Sequence, residues 1–387
     1  MCLVGFDMRI LVLGYGNIGS VIAADLAESM PSTEVVMAGR RRSKADEVTA
    51  AIDKENVAGI QLDARNYHEL VNTMKKFDLV VGALPGDIGY QSVKAAIDAK
   101  VDMVDVSYMS ENPLTLNEDA VKAGVIVVPD CGVAPGISNL LLGHSISKLD
   151  RVESIYIMVG GLPEKPVSPL GYTITWSPEG LIDEYTRTAR IVENGEMVEV
   201  EALTGLEEVE FPSVGKLEGF YTDGLRTLLH TVKGVRTMWE KTLRYPGHVE
   251  KIKLLKALGF FDEQPIEVGN VRLPPRKVTV KLLGEKLQRP EIKDILALKV
   301  EINGIAGGSR TNHVYWLLDR YDEKRGITAM ARTTGYPASI LAKLIAQKAI
   351  DERGVVPLEK LGVKERVLNK ILAELEKRQI KIMHSAE

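Results

Sequence analysis

Six short apolar runs recur across the first 130 residues, with helix-length amphipathic segments between them. The runs are RILVLG (9–14), EVVMAG (34–39), GIQLDA (59–64), DLVVGALP (78–85), DMVDVSY (102–108) and VIVVPD (125–130). The segments between them are 17–29, 43–54, 66–76, 88–99 and 112–123. Continuous apolar strands alternating with such helices predict a parallel sheet covered on both faces. Six strands in this order predict an α/β, doubly wound, dinucleotide-binding domain of the Rossmann kind.

The pattern changes after Pro135. GISNLLLGHSISKL (136–149) predicts a helix, and β-rich sequence follows. SIYIMVGG (154–161), YTITW (172–176), VTVKLLGE (278–285), ILALKVEING (295–304) and HVYWLLDRY (313–321) read as strands. Asn194-Gly195 joins two β-prone runs within 189–202, a strong hairpin signal. Helices are expected at 179–187, 223–232 and 248–258. This predicts an inserted α+β domain with a mainly antiparallel open sheet. From Thr328 the chain returns to helix in ASILAKLIAQKAIDER and KERVLNKILAELEKR, whose Leu/Ile stripes read as packing faces. The expected organisation is 1–134 for the dinucleotide domain, 135–327 for a substrate and dimerisation domain, and 328–387 for C-terminal helices packing back on the first.

Composition narrows the reading little. The chain of 387 residues is 45% apolar and 26% charged, ordinary for a two-domain globular protein. A net charge of −4 gives no global sign of nucleic-acid binding. Cys2 and Cys131 form no framework and no CxxC, which predicts a reduced, cytoplasmic protein. The apolar N-terminus lacks a basic leader and cleavage site, so it reads as a first strand and not a signal peptide. No apolar run reaches the roughly 20 residues of a membrane span. The six histidines are scattered at 68, 144, 230, 248, 313 and 384, so no metal is expected.

LVLGYGNIGS places Gly14, Gly16 and Gly19 in G-x-G-x-x-G between a strand and a helix, the context a dinucleotide loop needs. Gly14 permits the tight turn, Gly16 lets a pyrophosphate approach the backbone, and Gly19 lets helix and strand pack closely. Asn17 and Ile18 complete the loop, and the helix start offers N–H groups and a positive dipole end. Asp63, with Ala64 beside it, closes the third strand. It is a candidate acceptor for an adenine amine, or else a helix N-cap. Ala83, Leu84 and Pro85 end the fourth strand, where small residues suit a close pass by ribose and nicotinamide.

An acid for the ribose 2′-hydroxyl is expected about 20 residues after the loop. Arg40 stands 21 residues after Gly19, and no acid occupies 38–42. Arg40 and Arg41 suit a 2′-phosphate, which favours NADP over NAD. The alternative is a basic helix start neutralised by Asp46 and Glu47, with NAD accepted through backbone contacts.

Several motifs together resemble the saccharopine dehydrogenase-like family. They are ALPG (83–86), VDVSYMSENP (104–113), DCGVAPGISN (130–139) and KTLRYPGH (241–248), and the likeness extends to TAMARTTGYPASI (328–340). Within that family, GGLP, TWSP, FYTDGLRTL and LRYPGH look most like lysine 6-dehydrogenases. The resemblance implies oxidation of the ε-amine of L-lysine to an aldehyde with release of ammonia, and a homodimer through the second domain's open sheet. Lysine 6-dehydrogenases are generally associated with NAD and an acid after the second strand, so the arginine run departs from the pattern.

Amine oxidation needs a neutral amine, a base that keeps it so, and water to hydrolyse the iminium. The matched motif places Arg244 in the substrate cleft, where a guanidinium suits a carboxylate; the alternative is an ion pair with Glu240. His248 has the pKa range for proton transfer or else caps a helix. Asp223 is placed to hold an α-ammonium or to cap GLRTLLHTV. Asp105, Ser107 and Tyr108 end the fifth strand and Cys131 follows the sixth, all expected near nicotinamide. Tyr108 is the candidate to orient amine or water, and Cys131 is otherwise a small filler. Thr175 and Trp176 are candidates to line the substrate's aliphatic part, unless Trp176 is core. Thr333, Thr334 and Gly335 are expected to open the C-terminal helix. Two further readings stay open: a reductive condensation of the saccharopine or carboxynorspermidine kind, and a nucleotide-binding sensor without catalysis.

Overall fold

The computed structural model describes residues 6–387, so Cys2 lies outside the described residues. The chain forms two compact units. One runs up to residue 147 and includes 331–380; the other is 148–330 with 381–387.

The first unit opens with β1 (Met8–Leu13), α1 (Asn17–Ser29), β2 (Thr33–Gly39), α2 (Arg42–Ile52), β3 (Val57–Gln61) and α3 (Tyr67–Met74). It continues with β4 (Leu79–Gly82), α4 (Gly86–Ala99), β5 (Asp102–Asp105), α5 (Asn117–Ala123), β6 (Ile126–Val128) and α6 (Ile137–Ile146). The six strands are parallel and lie in the order β3-β2-β1-β4-β5-β6. The direction of winding reverses between β1 and β4, and an open α/β sheet binds ligands beyond its strands' carboxyl ends at such a point. Registers Leu13↔Ala38 and Leu13↔Gly82 bring the ends of β2, β1 and β4 level. Ile10, Leu11, Val12, Val80, Val81, Met103 and Val104 are fully buried, each burial worth about 1.5–3 kcal/mol.

The second unit contains β7 (Arg151–Pro163), α7 (Pro178–Thr186), β8 (Ala189–Glu193), β9 (Glu196–Val200), β10 (Glu207–Phe211), β11 (Gly215–Tyr221), α8 (Leu228–Thr231) and β12 (Thr237–Arg244). Then come α9 (His248–Ala257), the small hairpin β13 (Ile266–Val268) and β14 (Val271–Leu273), α10 (Pro275–Leu287), β15 (Asp294–Ala306) and β16 (Ser309–Arg320). The main sheet runs β10-β11-β12-β7-β15-β16, and the β8–β9 hairpin pairs with β12. Only β12 with β7 is parallel among these pairs, so the sheet is mixed with antiparallel pairing dominant. Asn194 and Gly195 take φ of 53° and 87°, the left-handed pair that a tight hairpin requires.

The chain then returns to the first unit through α11 (Ala329–Ala346), β17 (Gly354–Val355), α12 (Leu358–Gly362) and α13 (Glu365–Lys377). β17 pairs in parallel with β6 and makes a seventh strand. Val367, Leu368, Ile371 and Leu375 form the buried stripe of α13. The last strand, β18 (Ile382–Ala386), pairs with β16 in the second unit's sheet, where the sequence led us to expect only C-terminal helices on the first unit.

Other differences have local causes. Helix α6 belongs to the first unit, although the expected boundary lay at 134. Its Gly143 packs so closely on α12 that a Cβ there would sit 2.0 Å from the Glu359 carbonyl oxygen. Residues 278–285 form helix, not strand. Pro275 starts α10, and Val280, Leu283 and Leu287 turn to the core at helical spacing. Tyr172 and Ile174 are core residues, but the segment pairs with no strand among the described residues. Instead the Ile174 N–H (2.9 Å) and the Thr173 hydroxyl (2.7 Å) donate to the Leu287 carbonyl at the end of α10. In 223–232 only 228–231 is helical. α11 begins at Ala329, not at Thr333, so Thr333, Thr334 and Gly335 lie inside it.

Candidate functional site

The three glycines of the loop have different surroundings. Gly14 has φ 103°, and a Cβ on it would meet the Ala83 oxygen at 2.4 Å. A Cβ on Gly19 would meet the Gly14 oxygen at 2.2 Å. Gly16 has nothing within 4 Å of its Cβ position, so its backbone faces open space. No side chain caps α1 at Gly16 and no acid stands in its first turn, which leaves N–H groups for an anion. Asn17 is exposed and Ile18 half-buried beside it. An open Gly16 above an uncapped helix start fits a pyrophosphate.

Gly39 ends β2 against the Tyr15 ring, whose Cε1 lies 1.9 Å from the Gly39 Cβ position. The Tyr15 hydroxyl accepts from the Arg41 N–H at 2.7 Å. Arg42 pairs with Asp46 at 2.8 Å and Lys44 with Glu47. The two acids are thereby committed to Arg42 and Lys44. Arg40 and Arg41 are exposed and have no carboxylate partner among the described residues. Two free guanidinium groups at this strand end fit a 2′-phosphate. Tyr15, which sequence reasoning passed over, sets where that pair begins. Asp63 is exposed and accepts from the Arg65 N–H at 3.1 Å, while Asn66 caps α3. Ala64 is buried, Ala83 and Leu84 are half-buried, and Pro85 is exposed at the start of α4.

Asp105, Ser107 and Cys131 come together at the ends of β5 and β6. Asp105 is fully buried and accepts from the Ser107 N–H (2.9 Å) and hydroxyl (3.0 Å). Its carbonyl accepts from the Cys131 N–H at 2.8 Å. Gly82 makes room for it, since a Cβ there would lie 2.1 Å from Asp105 Oδ1. Burial, with the Asp105 and Asp130 carboxylates, pushes the Cys131 thiol well up. It is a neutral thiol, suited to packing and not to nucleophilic attack. Tyr108 is half-buried.

Arg244 anchors the polar centre of the second unit. It ends β12, and the Pro246-Gly247 turn that follows is pinned by Glu218, which accepts from the Gly247 (3.1 Å) and Val249 (2.7 Å) N–H groups. The Arg244 side chain is buried. Nη2 donates to Glu184 Oε2 at 2.7 Å, Nη1 donates to the Leu243 carbonyl at 2.9 Å, and Nε has no partner among the described residues. The guanidinium lies 4.4 Å over the Tyr172 ring and also bonds the Tyr185 hydroxyl. Burial works against its charge, but Tyr172, Glu184 and Tyr185 outweigh it and keep the group cationic. Its acid is therefore Glu184 on α7, not the Glu240 considered from sequence.

Glu240 is buried beside this centre. Thr222 donates to its Oε2 at 2.8 Å and shares a hydrogen bond with Thr242 at 2.9 Å. Burial, then the Glu184 and Asp223 charges, push its carboxyl up to about 8, so it is a neutral acid at pH 7.

The remaining candidates divide. His248 is buried in the first turn of α9, bonded through Nε2 to the Tyr185 hydroxyl (2.8 Å) and through Nδ1 to the Leu170 carbonyl (2.9 Å). Both ring nitrogens are engaged, and burial with Arg244 holds its pKa down to about 3. It is placed to hold Tyr185, not to exchange protons. Asp223 takes Arg190 on both oxygens, at 3.0 and 2.9 Å, and precedes no helix start. Thr175 is buried with an unpartnered hydroxyl. Trp176 is half-buried and donates to the Tyr172 hydroxyl. Glu184 and Tyr185 were missed because their partners lie about 60 residues away, beyond any spacing signal.

Among the described residues no group of His, Cys, Asp or Glu is placed to hold a metal, and no helix is long and apolar enough to cross a membrane. Residues 10–128 match the family model of the saccharopine dehydrogenase NADP binding domain, and residues 132–380 match the saccharopine dehydrogenase C-terminal domain. A saccharopine dehydrogenase [NADP(+), L-glutamate-forming] of Schizosaccharomyces pombe is 28% identical over 288 residues, 71% of this chain and 63% of the relative, so the chain spans less than two thirds of that protein's length. Carboxyaminopropylagmatine dehydrogenase of Synechocystis sp. is 23% identical over 91% of this chain and 92% of its own. The structure of apo saccharopine dehydrogenase (L-Glu forming) from Saccharomyces cerevisiae superposes with TM-score 0.79 at 21% identity, covering 98% of this chain and 100% of that one, which shows a shared fold. With a dinucleotide loop in the first unit, a buried arginine centre in the second, and family models matching both, this chain belongs to the saccharopine dehydrogenase family.

Proposed function

We propose that the protein is a nicotinamide-dependent amine dehydrogenase of the lysine 6-dehydrogenase type. It converts L-lysine, water and oxidised cofactor to 2-aminoadipate 6-semialdehyde, ammonia and reduced cofactor. The observation that carries this reading is Arg244. It is a buried cation whose Nε–H still lacks an acceptor, as expected of a group awaiting a substrate carboxylate.

Bound nicotinamide supplies hydride acceptance. The Gly16 backbone and the start of α1 would hold its pyrophosphate, and the free Arg40 and Arg41 favour NADP, in keeping with the matched NADP-binding model. Arg244 holds the carboxylate, and Thr175 and Trp176 flank the aliphatic chain. Asp105 fixes Ser107, Tyr108 orients the amine or water, and Cys131 packs as a neutral thiol. The second unit's open sheet forms a homodimer in the same proposal.

A reductive condensation of amine and aldehyde is the second reading. It is favoured by the free Arg40 and Arg41, since that direction uses NADPH, and by relatives named as saccharopine and carboxyaminopropylagmatine dehydrogenases. Initial rates with L-lysine and an amine panel, each with NAD and NADP, separate the two. Free ammonia supports the first; a secondary amine product supports the second. Lack of turnover in either direction removes both and leaves a nucleotide-binding sensor.

A further inference from the structure

Asp223 was the expected partner of a substrate α-ammonium, but it is held by Arg190 through both carboxylate oxygens. Glu240 is 3% exposed, bonded to Thr222 and packed against the Gly224 backbone, where a Cβ would lie 1.9 Å from its Oε2. Neither acid has a free face. Glu184 differs. Its side chain is 17% exposed, its Oε2 serves Arg244, and no hydrogen bond to its Oε1 is made among the described residues. Arg244 is its mirror image, with Nη1 and Nη2 engaged and a buried Nε–H left open.

An arginine–carboxylate pair frequently closes as a fork, with two parallel hydrogen bonds. This pair makes one, so each partner keeps one vacancy, an acceptor on Glu184 and a donor on Arg244. The buried Thr175 hydroxyl, equally unpartnered, adds a third in the same unit. Leaving a buried donor unmet is costly, and ligand binding removes that cost. An open acceptor and an open donor on the two members of one ion pair match the two charges of an α-ammonium and an α-carboxylate.

We infer that Glu184 recognises the α-ammonium group while Arg244 takes the α-carboxylate, so the pair selects the zwitterionic end of an α-amino acid. This rests on the dehydrogenase reading only for the reaction, not for the binding. Glu184 is thus a specificity-determining residue, with Tyr185 and His248 behind it holding Arg244 in place.

The test compares L-lysine with 6-aminohexanoate, which lacks the α-amine, and cadaverine, which lacks the carboxylate. For Glu184→Gln, kcat/KM for L-lysine falls about tenfold to hundredfold through KM, the size expected for one charge-assisted hydrogen bond, while 6-aminohexanoate, which lacks the α-amine, falls far less. The preference for L-lysine over 6-aminohexanoate collapses, and Glu184→Asp retains part of it. An equal fall for both substrates in Glu184→Gln, with thermal melting unchanged, overturns the proposal and makes Glu184 only a support for Arg244. Calorimetric titration of the same three compounds reads the selectivity without turnover. If no amine is oxidised but Glu184→Gln still loses the α-amine preference in binding, the reaction assignment falls and this inference stands. If the wild type binds L-lysine and 6-aminohexanoate alike, this inference falls. Should Glu184→Gln fail to fold, the Glu184→Asp titration decides, and an unchanged preference ratio there overturns the assignment.

Discussion

The Tyr185 hydroxyl and His248 Nε2 lie 2.8 Å apart in the core of the second unit, and His248 Nδ1 faces the Leu170 carbonyl at 2.9 Å. A carbonyl only accepts, so Nδ1 carries the proton and Nε2 accepts from Tyr185. A second ring proton would break that bond. Burial and the nearby Arg244 charge therefore hold the His248 pKa down to about 3, against 6.5 in the unfolded chain. Above 6.5 both states bind the same protons. As pH falls from 6.5 towards 3, only the unfolded chain takes one up, and stability drops by about 1.4 kcal/mol per pH unit. Denaturant unfolding from pH 7 to 4 checks this. His248→Gln, with no ring to protonate, flattens that limb; an unchanged slope would show that His248 is not its source.

Glu240 works in the opposite sense. Burial raises its carboxyl to about 8 in the folded chain, from about 4.5 when unfolded. Its contribution is full below 4.5 and lost as pH rises to 8, again by about 1.4 kcal/mol per unit, because only the unfolded chain releases the proton. Glu240→Gln keeps the shape and the Thr222 hydrogen bond without that proton. It is expected to gain stability relative to wild type as pH goes from 5 to 8. A constant difference across that range would sink the account.

Asp25 and Arg378 are 353 residues apart yet form a bidentate pair, Nε–Oδ1 at 2.7 Å and Nη2–Oδ2 at 2.8 Å, with Ser339 also on Asp25. The pair ties α1, which carries the glycine loop, to the end of α13. Removing Arg378 leaves the buried Asp25 with Ser339 as its remaining side-chain partner among the described residues and releases Glu374, which Arg378 also holds at 2.8 Å, so the cost is on the order of the 3–5 kcal/mol of a broken buried pair. Arg378→Met should lower stability by that amount, and adding Asp25→Asn should recover part of it. Additive losses in chemical denaturation would show that the two do not interact.

Local periodicity made much of this protein legible. The six strands, the helices between them and the Asn194-Gly195 hairpin carry their signals within a dozen residues, where pattern and backbone preference agree. Residues 278–285 misled because alternating Val278 and Val280 resemble a strand, whereas Pro275 and the distant core decide for helix. Strands β17 and β18 are short and exist by joining sheets built elsewhere. The site followed the same rule. The glycines and Arg40 are read from spacing along one βαβ unit, but the acid that Arg244 meets is chosen by tertiary packing. Glu240, four residues from Arg244 on the same strand, was the natural expectation, yet Glu184 on helix α7 is the partner.

Arg40 and Arg41 give a charge-reversal test. Both guanidinium groups are exposed, while Asp46 and Glu47 are engaged by Arg42 and Lys44. Arg40→Asp removes a donor to a 2′-phosphate and places a repelling acid there. The dissociation constant for NADP should rise at least about tenfold, the scale of one charge-assisted bond, with NAD little changed or improved. Fluorescence titration with both nucleotides measures this. Equal loss for both would mark the run as a general support of the strand end.

Gly14 and Gly16 stand two residues apart and should respond in opposite ways to the same added methyl group. At Gly14 the methyl meets the Ala83 oxygen at 2.4 Å and the backbone sits at φ 103°, so Gly14→Ala strains the turn between β1 and α1. A residue held in that backbone region costs about 1–3 kcal/mol before the clash is counted. Gly14→Ala should therefore lower thermal stability with or without nucleotide. At Gly16 the methyl meets nothing within 4 Å and the backbone is extended, so Gly16→Ala should melt as wild type does. The space it fills is where a pyrophosphate would lie against the backbone. Its effect should appear only as weaker NADP binding and a smaller rise in melting temperature on adding nucleotide. A Gly16→Ala protein that binds NADP normally would mean that the phosphates lie elsewhere than above this loop.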